Sequence, residues 1–130
     1  MEAGRLGFVP DTVIQELGWD DDVDADLRAS IEARTGNPLV DGEATDVVDG
    51  VILWWRDGDG DLADALMDAL ADLAEGGSIW LLTPKVGRPG AVDPSDIAEA
   101  APIAGLSQTT TAPVSKDWAA TRLVAPKSTS

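Results

Sequence analysis

Four of the nine basic residues in this 130-residue chain, Arg56, Lys85, Arg88 and Lys116, fall in loops that follow apolar runs, and Trp19 and Trp118 stand at loops of the same kind. Such an aromatic and basic cluster in a chain of net charge −15 can hold a small anion or an acidic peptide. The competing use of these cations is to neutralise their sequence neighbours Asp20, Asp21, Asp57 and Asp117. Other chemistry is narrowed by omission. With no His the usual general base near neutral pH is missing, and with no Cys there is no thiolate. Ser-His-Asp and Cys-His triads, Cys/His zinc centres and base-deaminase sites are therefore excluded. Asp57-Gly58-Asp59-Gly60-Asp61 opens like a calcium loop, but Leu62 stands where the turn glycine belongs and Asp68 where the bidentate Glu belongs. The stretch reads as a turn with helix-capping acids, and no metal ligand, catalytic residue or cofactor-binding residue is assigned.

The elements that must position the cluster are organised around Asp49 to Lys85. Val51 to Trp55 are five apolar residues in a row, suited to a strand covered on both faces, and Ser78 to Thr83 repeat the type. The residues between them form a helical crossover, with Leu62, Leu66, Leu70 and Leu73 as its apolar stripe from Asp61 to Glu75 and Gly76-Gly77 as its αL stop. Upstream, Thr12 to Gly18 predicts a strand led in by Leu6 to Pro10, and Asp24 to Arg34 predicts a helix with Leu27, Ile31 and either Ala25 or the Arg28 stem turned inward. Leu39-Val40 reads as a short edge strand, and Asp41 to Asp46 as a polar loop.

Downstream, Asp93 caps a helix with Pro94 at its first position, and Ile97, Ala100, Ala101, Ile103 and Ala104 supply its apolar side. Pro102 should disturb its last turn, and Gly105 ends it. Leu106 to Val114 and Trp118 to Ala125 form a hairpin joined at Ser115 to Asp117. Trp54 and Trp55 point to opposite sheet faces and, with Trp80, belong to the core. The length suits one domain over 1–126, with 127–130 a frayed tail. No run is long and apolar enough for a membrane span, and Met1 to Arg5 lack a signal peptide's pattern, so a soluble cytoplasmic protein is expected, with no membrane partner. The acidic balance opposes direct nucleic-acid binding across a screening length of roughly 8 Å.

Gly76-Gly77-Ser78-Ile79-Trp80-Leu81 and Ala104-Gly105-Leu106 resemble two strand-opening segments of class I methyltransferases. Over nearly its full length the chain resembles a small bacterial family of methyltransferase-like proteins of unknown function, commonest in actinobacteria. The residues that carry this are Leu6-Gly7, Pro10 and Val13; Trp80, Pro84 and Lys85; and Trp118, Arg122, Leu123 and Val124. The resemblance implies an α/β, Rossmann-like three-layer sandwich, reduced from the methyltransferase pattern, with a mostly parallel sheet and a C-terminal antiparallel hairpin. It also implies that Lys85 and Trp118 belong together.

A working enzyme of that fold carries a G-x-G-x-G turn after its first strand, whereas here the turn reads Leu17-Gly18-Trp19-Asp20-Asp21-Asp22. The expectation is a non-catalytic binding or regulatory module without a cofactor, engaging a protein or a small anionic ligand through Trp19, Arg56, Lys85, Arg88, Lys116 and Trp118. Two alternatives stand beside it. One is a minimal S-adenosylmethionine-dependent methyltransferase with Asp20 or Asp41 near the cofactor, and the other is an acidic subunit of a larger assembly.

Overall fold

The computed structural model describes residues 10–21, 23–40, 47–71, 73–85, 87–113 and 117–124. Five strands and three helices alternate along them: β1 (Ile14–Leu17), α1 (Ala25–Thr35), β2 (Val48–Trp54), α2 (Leu62–Leu70), β3 (Leu73–Pro84), α3 (Pro94–Ile103), β4 (Ser107–Pro113) and β5 (Trp118–Val124). They form one sheet of order β1-β2-β3-β5-β4. β1, β2 and β3 run parallel, while β5 is antiparallel to both β3 and β4. Val40 adds a single parallel bridge to Gln15 on the outer side of β1, the place read as a short edge strand.

Apolar strands dictate the layering. Side chains alternate across the sheet, so β2 sends Val51 and Leu53 to one face and Ile52 and Trp54 to the other. α1 covers the second face with Leu27 and Ile31, beside Trp80, Leu82, Trp118 and Ala120. α2 and α3 cover the first with Leu62, Leu66 and Ala69 and with Ile97, Ala100 and Ala101. The result is three layers. The caps work as their residue types require: Asp24 accepts from Leu27 N at 2.9 Å, Asp61 from Asp64 N at 3.3 Å and Asp93 from Ser95 N at 2.9 Å.

Three details differ from the sequence reading. α2 stops at Leu70 instead of reaching Glu75, and Leu73 already pairs with Val48 as the first residue of β3. Leu73 lies three residues past Leu70, so helical spacing fits it equally well, and pairing with β2 decides the outcome. Gly77 accordingly ends no helix. It lies in β3 at an irregular register between Val48 and Gly50, where an added Cβ would stand 2.7 Å from the Asp49 carbonyl oxygen. Finally, Ile103 and Ala25 are exposed, and on α1 it is the Arg28 stem that turns inward. The readings for Leu6 to Val9, Asp41 to Asp46, Ser115 and 127–130 lie outside the described residues.

Candidate functional site

After β1 the chain moves outward through α1 to Val40 and then returns to form β2 on the opposite side of β1. Strand order reverses between β1 and β2, and in a parallel α/β sheet the crevice beyond the carboxyl ends of such a strand pair is the natural ligand position. Here it is a cleft of about 420 Å³ bordered by Gly18, Trp19 and Asp20 after β1, Arg56 and Asp59 after β2, and Asp68 of α2. Gly18 makes the turn possible. Its φ is +75°, and a Cβ there would lie 2.2 Å from the Trp54 carbonyl oxygen, so only glycine lets the two strand ends come this close. Trp19, the next residue, is 58% exposed.

Arg56 spans the gap. Its guanidinium donates to the Gly18 carbonyl at 2.7 Å and to the Trp54 carbonyl at 3.3 Å, and sits 5.4 Å over the Trp118 ring. Asp59 holds the stem of this loop, accepting from Arg56 N at 3.0 Å and facing the guanidinium at 3.7 Å. From the other side, Asp57 N donates to the Gly90 carbonyl at 2.8 Å, which ties the loop after β3 to the loop after β2. Hydrogen bonds to Asp21, through its side chain first and its backbone N–H second, lower the pKa of the Asp20 carboxyl, and the Arg56 charge adds to this.

Beneath the cleft lies a buried polar network. Glu16 on β1 accepts both arms of the Arg28 guanidinium, at 2.6 and 2.8 Å, and the Trp54 indole N–H at 2.9 Å. The paired carboxylate raises the Arg28 pKa above its already high ordinary value. Trp54 in turn meets Trp118 edge to face, with centroids 4.8 Å apart. The chain Arg28–Glu16–Trp54–Trp118–Arg56 therefore joins α1, three strands and the loop after β2.

A family model described as "Protein of unknown function (DUF3052)" matches residues 3–127. The chain belongs to this family. An uncharacterized protein of Mycobacterium tuberculosis (strain ATCC 25618 / H37Rv) is 56% identical to this DUF3052 chain over 126 residues, covering 97% of the chain and 79% of the relative. Among solved structures, the precorrin-6y C5,15-methyltransferase from Geobacter metallireducens superposes with a TM-score of 0.66 at 10% identity, covering 96% of this chain and 86% of that one. The glycopeptide N-methyltransferase MtfA, complexed with sinefungin, gives 0.65 at 13% identity, covering 95% and 90%. At such identities the likeness shows the fold, a Rossmann-like methyltransferase architecture.

Of the five described residues among the six singled out in the sequence, Trp19, Arg56, Trp118 and Arg88 adjoin one another in turn in the DUF3052 fold, and Lys85 stands apart. Trp19 and Arg56 share the cleft, and Arg56 touches Trp118, which is buried in the core. Arg88 pairs with the Asp117 carboxylate, as the neutralising alternative has it, whereas Lys85 lies over the opposite sheet face beside Thr83. Lys85 and Trp118 are joined through backbone, since Lys85 N donates to the Asp117 carbonyl at 2.8 Å and Pro84 is the β-partner of Trp118. Lys116 lies outside the described residues. In the Asp57 to Asp61 turn, Asp59 and Asp61 spend their carboxylates on backbone N–H groups. Sequence reasoning missed the Glu16–Arg28 pair. Its signal was a carboxylate inside an otherwise apolar strand together with an inward-turned Arg on the next helix.

Proposed function

We propose that this protein is a non-catalytic binding or regulatory module that keeps the methyltransferase architecture without its cofactor chemistry. The observation that carries the reading is the Arg56 bridge: the guanidinium crosses the reversal point of the sheet and is held there by two carbonyls and an indole face. S-adenosylmethionine fits this corner poorly. The turn has one glycine, already pressed against the Trp54 carbonyl, followed by Trp19 and a run of carboxylates. The exposed Trp19 ring beside Arg56 instead offers a contact surface for a protein partner or a small anionic ligand. Calorimetry with S-adenosylmethionine and S-adenosylhomocysteine tests the reading. No binding is expected at micromolar concentrations, and a micromolar Kd for either compound overturns it.

A second reading, docking on a basic partner, is favoured by a different surface. Between the start of α2 and the outer side of α3 runs a groove of about 500 Å³ with Trp55 and Ile103 as its apolar floor, Ile103 being 68% exposed. Asp57, Asp61, Asp96 and Glu99 rim it, and none of them forms an ion pair with a described residue. A basic partner captured at low salt should be released as salt rises through the physiological range. Retention that salt leaves unchanged counts against this reading.

A further inference from the structure

On the face of the sheet covered by α2 and α3, away from the Arg56 cleft, a pocket of about 320 Å³ opens over the ends of β3, β5 and β4. Its apolar wall is Val92, Pro94 and Ile97, from the loop before α3 and its first turns. Strand alternation continues the core rows Ile79–Leu81 of β3 and Leu123 of β5 into Thr83 and Thr121, so hydroxyls replace aliphatic groups where the sheet passes under the pocket. Thr121 and Thr111 meet each other at 3.4 Å, and the Gln108 amide reaches Thr111 at 3.4 Å. Thr83 lines the same pocket, and among the described residues nothing hydrogen-bonds to its hydroxyl.

A hydroxyl on a pocket wall that makes no bond within the protein can donate to a bound acceptor. Lys85, just past the end of β3 and half-buried at the same pocket, is the second such group. Arg28, Arg56 and Arg88 each meet a carboxylate, whereas Lys85 meets none among the described residues. Arg122 likewise meets no carboxylate among the described residues, and of the two cations it is Lys85 that lines the pocket.

We propose that this pocket binds a compact monocarboxylic acid, its apolar body against Val92, Pro94 and Ile97 and its carboxylate on the Lys85 ammonium and the Thr83 hydroxyl. The volume stands at the lower end of the range for small-molecule sites, which limits the body to a branched chain or a single ring. The site is separate from the cleft at Arg56 and does not depend on how that cleft is used.

The test is ligand-observed NMR and calorimetry on the full chain with hexanoate, benzoate and phenylacetate, and with benzamide as the uncharged counterpart of benzoate. At least one acid is expected to bind, with benzamide at least about tenfold weaker, the usual scale for losing one charge-assisted contact. Lys85→Met should weaken the acid by at least about tenfold. Ile97→Trp, or Ala119→Leu from the opposite wall, should abolish binding with the circular dichroism of the fold unchanged. Thr83→Val, nearly isosteric, should weaken binding with the circular dichroism of the fold unchanged. Failure of all three acids to bind at 10 mM overturns the proposal, as does equal binding of benzamide and benzoate, or binding that survives both pocket-filling variants. A Thr83→Val protein that binds as before would overturn the hydroxyl's role at the site.

Discussion

Replacing Arg28 by Met should cost this fold more than replacing Glu16 by Gln, because the two ends of the pair are unequally buried. The Glu16 side chain is 7% exposed and the Arg28 side chain 32%. Arg28→Met keeps the aliphatic stem on α1 but leaves the carboxylate with the Trp54 indole N–H as its remaining side-chain partner among the described residues. Breaking a buried pair on one side costs about 3–5 kcal/mol, and the partial hydration of Arg28 argues for the lower end, about 3 kcal/mol. In a chain of this size that is a fall in Tm of roughly 10 °C. Glu16→Gln preserves an acceptor for Trp54 and lets Arg28 turn to water, for a loss of about 1 kcal/mol.

The pH dependence gives a second readout. In the wild type the raised Arg28 pKa lies above that of the unfolded chain, so its contribution is complete at every pH below the unfolded Arg value and is lost only as pH rises through the folded one. The deficit of Arg28→Met should therefore be the same at pH 7.5 and at pH 9.5. Urea denaturation followed by tryptophan fluorescence at the two pH values measures both. Equal stability of Arg28→Met and wild type, a Glu16→Gln loss larger than the Arg28→Met loss, or a deficit that differs between the two pH values would each refute the reasoning.

Other substitutions test other parts of the account. Gly18→Ala forces a Cβ onto the Trp54 carbonyl at a left-handed φ and should cost about 3 kcal/mol or more, read by thermal denaturation. Arg56→Ala removes two hydrogen bonds from a charged donor and a contact with an indole face, and should lower stability by about 2 kcal/mol in urea titrations, with a change in Trp118 emission. Leu66→Ala, in the fully buried stripe of α2, should cost about 2–5 kcal/mol in the same titrations. Hydrogen bonds from the Ser95 N–H and hydroxyl lower the Asp93 pKa, so the cap on α3 is intact above the unfolded Asp value and is lost as pH falls through the folded one. Asp93→Asn should flatten that acidic limb of the stability profile.

How much of this was legible in the sequence depended on whether a signal was local. Asp24, Asp61 and Asp93 act as caps because a short carboxylate reaches an N–H two or three residues ahead, a relation contained in the sequence itself. Continuous apolar runs likewise gave β2 and the buried part of β3. The end of α2 was not legible, since Leu73 fits a helical stripe and a strand equally well, and only its pairing with Val48 settles the matter. The candidate cluster divided for a related reason. Loop lists place residues at one edge of a sheet but not on one face of it, and Lys85 projects over the face opposite to Trp118. The Arg56 bridge depends on the Gly18 and Trp54 carbonyls, and backbone oxygens carry no signature in residue types.

The crossed indoles of Trp54 and Trp118 give the molecule an optical signature of its own. Two such chromophores, 4.8 Å apart with planes at 80°, couple their electronic transitions, and the resulting paired bands in the circular dichroism spectrum require β2 and β5 both to be docked on either side of β3. A spectrometer can therefore follow the docking of the C-terminal hairpin without any label, and distinguish a chain that has closed its sheet from one that has merely collapsed.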